Sequence, residues 1–512
     1  MKTSPKTKAK SYIGSLLFPI LYTLILFLVA SGIYFYANGY RLDIFKQEIT
    51  QNGVITVESS PFGADVYVNE KLVGKTPKST SVKIGTYHIT VKRDGYYNWE
   101  KDIDILEGKS TPIFPWLIKQ DPKYTTLWTS AGTIEKYWVN ENNDHLLFLT
   151  KETNGYTLWE YTLNPALWDF TTNPSEILKL DSNNIDITLS PSGLQALLNV
   201  TSGTTSQYYI LNTQVLSQFA SLKALSLDPA KAYKIAWSND NNYLVLDSVS
   251  GIYSYDIKIN QITTLVEKLV SQEYIWTTDE QGFFYIVEPA KDQLEGTYAY
   301  NLKQMNLNGT NSKYIISNFY FFKTDKYLKQ YRNNGFTYSE FSSSPESTFS
   351  AGEITYINVN QQAQGVYIKT SLATYWFNIQ TQKFMMISAY PTEFIAFNED
   401  RERLIFRDDN QIGIFTFDKT EGDHTVNIGS KKIKNIANIS KASSFKWLTD
   451  SLNITYFQEG IIYIADVDGD NKTYITKSEN LLTFLIRSSN NTLLTFTNDE
   501  AGKLSITELE IH

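Results

Sequence analysis

The sequence contains no cysteine and only 4 histidines among its 512 residues. The absence of cysteine excludes disulfide bonds and thiolate metal sites, and it removes redox compartment as a clue. The histidines, at positions 88, 145, 424 and 512, form neither an HExxH motif nor a His-rich zinc pattern. The sequence also lacks the Gly-x-Ser-x-Gly nucleophile elbow. No catalytic residues are therefore assigned, no cofactor is expected, and the protein is not expected to be an enzyme.

The composition also lacks a basic excess, since the formal net charge is -8. Nucleic-acid binders carry a basic patch or stripe, so nucleic acid is not an expected partner. Hydrophobic residues make up 42% of the chain and aromatic residues 14%. Flat and branched side chains pack well on pleated sheets, so the composition predicts an all-β protein. The length favours two or three folded units, and nothing in the sequence sets an oligomeric state.

The N-terminus carries the longest apolar run, residues 11–40, which contains no charged side chain. One bilayer crossing needs about 20 apolar residues, whereas the apolar region of a cleaved signal peptide has only about 7 to 15. The run therefore predicts a transmembrane helix and a lipid bilayer as partner. Four lysines precede it in a tail, 1–10, that we expect in the cytoplasm. A juxtamembrane linker, 41–51, and all later residues are then extracytoplasmic, on a single-pass cell membrane protein.

Residues 59–77, SSPFGADVYVNEKLVGKTP, combine turn residues with short alternating apolar stretches. The Gly-Lys-Thr at 74–76 is similar to the end of a phosphate-binding P-loop. That motif requires a glycine five residues before its second glycine, and Asn69 occupies this position. The stretch therefore predicts two strands framed by tight turns rather than a nucleotide site.

Residues 52–108 resemble the PEGA domain family of bacterial envelope proteins. Two departures concern turns: Phe62 replaces the glutamate of the tetrapeptide that names the family, and Glu70 stands where glycine is usual. Glutamate tolerates positive φ poorly, which leaves the type of the second turn open. The resemblance implies a small β-sandwich beyond the membrane that contacts envelope polysaccharide or surface proteins. The matching positions are Pro61, Gly63, Ala64, Asn69, Gly74, Thr76, Pro77, Gly85, Tyr87, Gly95, Tyr96 and Trp99.

A segment with three prolines, 109–123, follows this module and is interpreted as a stiff linker. It also contains apolar residues that could dock on a neighbouring surface. The prolines are Pro112, Pro115 and Pro122, and the apolar residues are Ile113, Phe114, Trp116 and Leu117.

Residues 124–512 contain a repeat at intervals of about 40 to 50 residues, which in an all-β chain is typical of a propeller. Each copy has an apolar residue, two small or polar ones and usually an acid, followed by three β-like runs, which indicates four-stranded blades. The clear copies are WSND at 237–240, WTTD at 276–279, FKTD at 322–325, FNED at 397–400 and WLTD at 447–450. The divergent copies are WVNE at 138–141, LSPS at 189–192, VNQQ at 359–362 and IRSS at 486–489.

This part of the chain resembles WD-repeat-like propellers of the TolB type, whose Trp-Ser-Pro-Asp-Gly turn joins the first two strands of a blade. The closest matches are AWSNDNNYLVL and TLSPSGLQALL. The last strand, 503–512, has no fourth partner in its blade, and YTTLW at 124–128 is a strand without a blade. We expect the two to share a blade and close the ring. About eight blades are expected, with seven to nine possible.

Two sets of acids are candidates for metal sites. Asp466, Asp468 and Asp470 alternate as in a calcium loop, but Gly469 is at the wrong position for an EF-hand. The sequence MNLNGTNSKYII, 305–316, occupies the same place in its blade with neutral residues, so a turn between the third and fourth strands is favoured. The acids of the repeat, Asp240, Asp279, Asp325, Asp400 and Asp450, are expected to cap local backbone N–H groups.

The aromatic residues that begin the repeats are expected to pack between blades rather than to bind sugars. They are Trp237, Trp276, Phe322, Phe397 and Trp447.

Together these features predict a membrane-anchored extracytoplasmic protein of the cell envelope that binds or scaffolds an envelope polysaccharide or protein. The alternative is an envelope glycan hydrolase with an Asp/Glu pair at the propeller mouth, because such a pair leaves no spacing signature. A third interpretation, an outward sensor, has only a short cytoplasmic tail through which to signal.

Overall fold

The chain folds into two compact units, one up to Gln120 and one from Asp121 onward. Strands dominate both units. The computed structural model describes residues 22–31, 40–43, 48–107, 109–139, 145–162, 173–181, 184–202, 205–212, 223–225, 227, 233–268, 274–291, 296–323, 352–360, 362, 364–381, 383–398, 402–409, 411–417, 429–434, 436, 439–448, 450–478, 480–486 and 492–512.

The expected tail, 1–10, lies entirely outside the described residues, and so does most of the expected membrane span, 11–40. Residues 22–31 are helical, and residues 22–30 are exposed. Within the described part of the chain, no helix has both the length and the apolar character needed to cross a membrane.

The N-terminal unit contains two four-stranded sheets with one core between them. In the first sheet β2 pairs with β1 through its N-terminal half, and with β5 and β8 through its C-terminal half. The second sheet has the order β4-β3-β6-β7. The strands are β1 (Tyr40–Asp43), β2 (Glu48–Val57), β3 (Asp65–Val68), β4 (Lys71–Lys75), β5 (Lys78–Lys83), β6 (Gly85–Lys92), β7 (Trp99–Ile105) and β8 (Ser110–Ile113).

Strand alternation determines which side chains fill this core. Val66 and Val68 of β3 point inward while Asp65 and Tyr67 remain partly exposed, and Ile103 of β7 is buried between exposed neighbours. This period of two is the pattern that a half-buried strand requires. The alternation seen in the sequence therefore sets which face of each strand enters the core.

The proline-containing segment 109–123, interpreted from the sequence as a linker, belongs largely to the N-terminal unit. Residues 110–113 form β8, which pairs in parallel with β2. Ile113 and Leu117 are 0% and 1% exposed in the core of this unit. The backbone N–H of Leu117 donates to the carbonyl of Ser60 at 2.8 Å. The apolar residues of the segment thus complete the core of the module that precedes them.

The hairpin between β3 and β4 has a two-residue loop, Asn69-Glu70. Val68 pairs with Lys71, and both loop residues have positive φ, 46° and 66°. Positive φ at both central residues defines a type I′ turn, which matches the twist of a hairpin. The Asn69 side chain also accepts a hydrogen bond from the His88 N–H at 2.8 Å. Glu70 therefore adopts the conformation that glycine usually supplies.

The C-terminal unit is a propeller-like series of four-stranded antiparallel sheets. Its strands are β9 (Lys123–Val139), β10 (His145–Glu152), β11 (Gly155–Thr162), β12 (Ser175–Leu180), β13 (Ile185–Leu189), β14 (Gln195–Ser202), β15 (Thr205–Asn212), β16 (Lys223–Ala224), β17 (Lys234–Trp237), β18 (Tyr243–Asp247), β19 (Gly251–Asp256), β20 (Gln261–Glu267), β21 (Ile275–Thr278), β22 (Phe283–Pro289), β23 (Thr297–Asn306), β24 (Lys313–Phe322), β25 (Ile354–Asn360), β26 (Gly365–Thr370), β27 (Thr374–Asn378), β28 (Lys383–Ser388), β29 (Glu393–Phe397), β30 (Arg403–Arg407), β31 (Ile412–Thr416), β32 (Gly429–Lys432), β33 (Ala442–Trp447), β34 (Asn453–Gln458), β35 (Ile461–Asp466), β36 (Thr473–Lys477), β37 (Leu481–Ile486), β38 (Thr492–Asn498) and β39 (Lys503–Glu510), with a 3₁₀ turn at Ile439–Lys441.

These described strands form eight blades. Six are separate sheets, β13 to β16 (blade 2), β17 to β20 (blade 3), β21 to β24 (blade 4), β25 to β28 (blade 5), β29 to β32 (blade 6) and β33 to β36 (blade 7). The remaining seven-stranded sheet contains two more, because the long strand β9 pairs with both β39 and β10. Blade 1 is β9 to β12, and blade 8 is β37 to β39 with the first half of β9. This number is the centre of the range expected from the repeats.

The ends of the C-terminal unit pair with each other, as the sequence predicts. Residues 123–133 of β9 pair antiparallel with β39, with Trp128 opposite Ile506 and Tyr124 opposite Leu509. At Thr133 the same strand changes partner and continues alongside β10. The prediction that the first and last strands share a blade is confirmed.

Consecutive blades pack through apolar faces. One cluster joins blades 4 and 5 around Tyr285, Phe319, Phe321 and Tyr375, all of which are at most 1% exposed. A second cluster joins blades 1 and 8. These buried aromatic residues therefore contribute to the interfaces between blades, a usual place for large apolar side chains.

One clear copy of the repeat was misinterpreted. FKTD, 322–325, was expected to begin a blade, but Phe322 ends β24, the fourth strand of blade 4. The divergent copies VNQQ and IRSS do begin where a first strand ends, at β25 and β37. The surplus unit among the nine candidates is thus a copy that matched the pattern well.

Candidate functional site

The acids of the repeat cap the turns that follow first strands. Asp279 Oδ1 accepts the N–H groups of Gln281 and Phe283 at 3.0 and 2.9 Å. Asp450 Oδ1 accepts the N–H groups of Leu452 and Asn453. Asp240 makes the corresponding contact to the Asn242 N–H. The predicted capping is confirmed for these three residues, whereas Asp325 and Asp400 lie outside the described residues.

The tryptophans of the repeat connect neighbouring blades. Trp237 Nε1 donates to the Thr188 carbonyl of the preceding blade at 2.9 Å. Trp276 Nε1 donates to Asp247 Oδ2 at 2.9 Å, again in the preceding blade. Phe397 packs in the cluster between blades 5 and 6. These contacts support the expectation that the repeat aromatics are packing residues.

The loop with Asp466, Asp468 and Asp470 is a turn between the third and fourth strands of blade 7. The Asp466 N–H donates to the Asp470 carbonyl, and the Gly469 N–H donates to the Asp466 carbonyl. The Asp470 N–H donates to Asp468 Oδ1 at 3.2 Å.

Blade 4 repeats the three bonds with neutral residues. The Asn306 N–H donates to the Thr310 carbonyl, the Gly309 N–H to the Asn306 carbonyl and the Thr310 N–H to Asn308 Oδ1. The predicted equivalence of the two turns is confirmed.

The carboxylates of this turn already have protein partners. Asn471 Nδ2 donates to Asp466 Oδ2 at 2.9 Å, and Lys434 Nζ lies 3.1 Å from Asp470 Oδ2. Among the described residues, no group of three or more His, Cys, Asp or Glu side chains is arranged to hold a metal ion. The turn glycine approaches a neighbouring loop closely, since a Cβ on Gly469 would lie 2.1 Å from the Lys434 carbonyl.

The Gly-Lys-Thr stretch forms a buried hydroxyl contact. Ser59 Oγ and Thr76 Oγ1 are 2.6 Å apart, and Ser59 Oγ donates to the Pro61 carbonyl. Thr76 Oγ1 also accepts the Ala64 N–H at 3.1 Å. Thr76 is only 5% exposed. Its hydroxyl therefore links the Pro-Phe-Gly-Ala turn to the segment between β4 and β5. The Gly-Lys-Thr stretch thus serves a structural turn and not a phosphate site.

We expect the Thr76→Val variant to lose about 1–3 kcal/mol of stability, because the Ala64 N–H loses one of its acceptors in a buried position. Val keeps the branched shape, so packing is nearly unchanged. The matched control is Thr86→Val, which also removes a hydroxyl hydrogen bond, to Asp104 Oδ1, but at an exposed position where water replaces it, so stability should stay within about 0.5 kcal/mol of the parent. Urea unfolding of both variants checks this. Equal stability of the two would contradict the assigned role of the hydroxyl.

A buried polar network lies within blade 4. Tyr285 Oη donates to Asp279 Oδ2 at 2.9 Å, and Gln304 Nε2 donates to Tyr285 Oη at 2.7 Å. Asp279 and Tyr285 are 2% and 0% exposed. In blade 7, Tyr456 is equally buried, yet its hydroxyl has no hydrogen-bond partner among the described residues. Burial raises the pKa of Tyr456 and keeps it neutral.

The two tyrosines give opposite predictions for the same substitution. We expect Tyr285→Phe to lower stability by roughly 2 kcal/mol, because a buried carboxylate loses a hydrogen bond. We expect Tyr456→Phe to leave stability unchanged or raise it by up to about 1 kcal/mol, since it removes an unsatisfied buried hydroxyl. Thermal unfolding monitored by circular dichroism compares the pair. A larger loss at Tyr456 than at Tyr285 would contradict this assignment.

His88 and His145 each pair with a carboxylate. His88 Nδ1 lies 2.7 Å from Asp102 Oδ1 on the outer face of the second sheet. His145 Nδ1 lies 3.3 Å from Glu160 Oε1, with both side chains buried in blade 1. His424 lies outside the described residues, and His512 is partly buried after the end of β39. Each described pair thus lies within its own sheet.

Lys446 has an unusual environment in the innermost strand of blade 7. Its Nζ donates to the Phe484 carbonyl of blade 8 and lies 4.8 Å from the centroid of the Phe484 ring. Burial lowers the pKa of Lys446 to about 7. The charged form of this amine is disfavoured because the Phe484 carbonyl and ring replace water around it. Its contacts within the described residues include no carboxylate.

A polar cleft of about 530 Å³ lies at one end of blade 1. The β10–β11 hairpin, the end of β12 and the middle of β9 form its walls. Gly132 permits the close approach of β9, because a Cβ there would lie 2.1 Å from the Lys151 carbonyl. The polar side chains that line the cleft include Thr133, Lys151, Glu152, Asn154, Tyr156 and Lys179.

The chemistry of the cleft suits a hydroxylated or anionic ligand. Lys179 Nζ lies 3.6 Å from Glu176, whereas Lys151 makes no ion pair among the described residues. Lys151 pairs with Thr133 on one side and with Tyr156 on the other, so an ammonium group and two hydroxyl groups lie on the same face, and the volume of the cleft falls in the range of ligand sites, about 300–1,000 Å³. Sequence reasoning missed this cleft, because its residues come from three separate segments and none belongs to the repeated motif.

Fold and site define an all-β protein with a small two-sheet module followed by a propeller-like unit. Residues 52–117 match the family described as the PEGA domain. The match ends nine residues beyond the boundary expected from the sequence, in agreement with the pairing of β8 and the burial of Leu117.

Solved structures of several kinds are similar to the chain. The WD40 domain of SCAP from fission yeast has a TM-score of 0.41 at 10% identity and covers 77% of this chain and 97% of its own. Dipeptidyl peptidase 4 of Porphyromonas gingivalis has a TM-score of 0.42 at 12% identity, with 74% and 58% covered. An oligogalacturonate lyase from Vibrio parahaemolyticus has a TM-score of 0.37 at 8% identity, with 74% and 98% covered. A comparison with curated proteins gives no match. At these TM-scores the neighbours indicate neither ligand nor activity.

Proposed function

We propose that the protein is a membrane-anchored binding or scaffolding protein of the bacterial cell envelope. In this proposal residues 11–40 anchor the chain in the cell membrane, the N-terminus is cytoplasmic, and both folded units are extracytoplasmic. The propeller-like unit binds an envelope polysaccharide or protein, and the PEGA-like module positions it near the membrane.

The observation that carries the proposal is the PEGA match at 52–117, immediately after the longest uncharged apolar run of the chain. Such a run is long enough for a bilayer crossing, and the lysines before it favour a cytoplasmic N-terminus. The resemblance to envelope proteins supports an extracytoplasmic setting for the module. The order of run, module and propeller-like unit suits a protein that presents a binding unit outside the membrane.

Protease accessibility on intact cells tests the topology. We expect peptides from beyond residue 52 to be released, while the tail with Lys2, Lys6, Lys8 and Lys10 remains protected. A periplasmic or extracellular marker protein serves as the positive control for access. Release of peptides from the propeller-like unit only after lysis would overturn the proposed localisation.

The cleft in blade 1 supplies the binding site of the proposal. A polysaccharide segment offers hydroxyl and anionic groups that Asn154, Tyr156 and Lys151 can pair with. Because Lys151 is exposed and lies away from the cores, its replacement should affect binding and leave the fold intact.

Retention of purified cell-wall fractions by the full chain tests this site. We expect Lys151→Glu to reduce retention several-fold, because one reversed charge repels an anionic polymer. The matched control is Lys258→Glu, an exposed lysine in the turn between β19 and β20, which should retain as much as the parent. Equal retention by both variants would exclude the cleft, and no retention by the parent would count against polysaccharide binding.

A glycan hydrolase would need two carboxyl groups about 5–10 Å apart. Glu152 is the one carboxylate among the described residues that line the cleft. The repeat acids at Asp240, Asp279 and Asp450 are engaged in capping. No observation therefore favours the enzymatic alternative over binding.

A further inference from the structure

We propose that one end of the PEGA-like module, formed by the turn at residues 83–85 together with residues 105–107 and Lys109, docks on the surface of an anionic lipid bilayer. This inference rests on the membrane anchoring proposed above and adds a second contact between the protein and the membrane. We call this end the docking end.

Backbone contacts bring the two turns together. Gly85 pairs with Ile105, and Lys83 pairs with Asn52. The Val54 N–H donates to the Lys109 carbonyl at 3.0 Å. The adjacent Gly53 packs closely, since a Cβ there would lie 2.7 Å from the Leu106 carbonyl oxygen. Both turns therefore lie beside the middle of β2, where the core of the module ends.

Each turn exposes one large aliphatic side chain beside a lysine. Ile84 and Leu106 are 53% and 45% exposed, although their neighbours Val82 and Ile105 pack into the core. Lys83, Lys109 and one acid, Glu107, are exposed next to them, so the lysines leave these three side chains with a net positive charge. Aliphatic side chains that enter the headgroup region, flanked by lysines that contact lipid phosphates, are typical of an interfacial membrane contact.

The path of the chain places the docking end nearest to the proposed anchor. Strand β1 begins at Tyr40, where the uncharged run ends, and pairs with residues 48–51 of β2. Strand β2 then runs away from these residues toward Ser59 and the Phe62 turn. Tyr40 pairs with Gln51, which is adjacent to Asn52, the partner of Lys83, so the module starts beside the docking end.

A lipid surface fits the docking end better than a wall polymer does. A hydrophilic polymer would gain nothing from Ile84 and Leu106, whereas both side chains leave water when they enter a bilayer interface. Exposed Phe62 provides the internal contrast. It is 71% exposed at the other end of β2, about 20 Å away by strand length, and has no expected role in docking.

The absence of cysteine makes the test direct, because any introduced cysteine is the one labelling site. The full chain is reconstituted in nanodiscs of phosphatidylcholine and phosphatidylglycerol. Single variants Ile84→Cys, Leu106→Cys, Phe62→Cys and Ile25→Cys each carry an environment-sensitive fluorophore. Nitroxide-labelled lipid then serves as quencher.

We expect strong quenching at positions 84 and 106 and weak quenching at position 62. Quenching at 84 and 106 that does not exceed quenching at 62 would overturn the docking. Position 25 reports the anchor separately. If it is quenched while 84 and 106 are not, the anchor stands and the docking fails. If it is not quenched, the anchor proposal fails, and the labels at 84 and 106 still decide whether the module touches lipid.

The headgroup contribution is tested by charge removal. We expect Lys83→Gln and Lys109→Gln each to lower the docking equilibrium constant about fivefold on anionic nanodiscs. Lys78→Gln, at the other end of β5, is the matched control and should have no effect. Equal docking by parent and charge variants would overturn the role of anionic lipid.

Discussion

Replacing Ile506 with alanine should lower the stability of the propeller-like unit by about 3–4 kcal/mol. Ile506 is 0% exposed and lies in β39, opposite Trp128 of β9. Its side chain packs in the cluster that joins blades 8 and 1, with Phe148 and Phe496. The substitution removes buried methyl groups and leaves a cavity at the one place where the two ends of the unit pair.

A loss of stability at Ile506 should affect the fold of the unit more than an equal loss elsewhere. Other blades hold four strands in one continuous stretch of chain, whereas blade 8 requires β9 to pair across the whole unit. When this pairing weakens, β9 and β39 acquire exposed edges. We therefore expect blade 8 to open before the others.

Hydrogen exchange with mass spectrometry measures the local effect, and thermal unfolding measures the global one. In Ile506→Ala, peptides from 123–129 and 492–510 should exchange faster than peptides from blades 3 to 6. Ser505→Ala is the matched control, because the neighbouring side chain points to the opposite face. Uniform acceleration over all blades would show that closure is not the weakest element.

The closure could be predicted because each blade of the repeat is expected to contain four strands. Residues 503–512 left a blade short of one strand, and YTTLW at 124–128 left a strand without a blade. The edge of each strand needs a hydrogen-bonding partner, so the strand at 124–128 is expected to complete the blade that contains 503–512. The prediction used the number of strands and did not depend on any single side chain.

The wrong assignment of FKTD, 322–325, to the start of a blade shows what the repeat pattern cannot distinguish. The pattern describes an apolar strand end followed by a polar turn, and Phe322 ends a strand just as Trp237 does. Nothing local distinguishes a first strand from a fourth. The distinction comes from hydrogen-bond partners: Phe322 pairs back with Thr297 of the third strand.

The cleft and the environment of Lys446 could not be predicted for a related reason. Lys151 lies beside Thr133 and Tyr156 only because β9, β10 and β11 lie side by side, and Lys179 comes from the next strand, β12. Lys446 contacts a backbone carbonyl in the next blade, and a carbonyl has no signature in a sequence. Local turn chemistry is encoded by neighbouring residues, whereas contacts between strands and blades depend on the assembled fold.

Replacing Lys446 with methionine should raise stability at neutral pH by roughly 2–3 kcal/mol. The ammonium group of Lys446 is held between blades 7 and 8 with the Phe484 carbonyl and ring as recorded partners. Burial lowers its pKa from 10.5 to about 7, so the folded state disfavours the charge. Methionine has a similar length, removes that penalty and gives up one hydrogen bond.

The same shift gives a pH dependence with a defined sign. Between about pH 7 and pH 10.5 the unfolded state holds the Lys446 proton more tightly than the folded state does. Stability therefore rises with pH over this window, because the unfolded state binds more protons. Below pH 7 the amine is charged in both states, and the penalty is present in full and constant. Above pH 10.5 it is neutral in both, and the penalty is gone.

The difference between parent and Lys446→Met isolates this one group, because all other titrations cancel. Urea unfolding at several pH values should show an advantage of the variant that is largest below pH 7 and smaller by roughly 3 kcal/mol at pH 9.5 than at pH 7. Lys258→Met, at an exposed turn, should remain within about 0.5 kcal/mol of the parent throughout. A constant difference between parent and Lys446→Met from pH 7 to 9.5 would show that the amine stays charged between the blades. In that case its contact with the Phe484 carbonyl and ring compensates for the loss of water, and Lys446 stabilises the junction of blades 7 and 8.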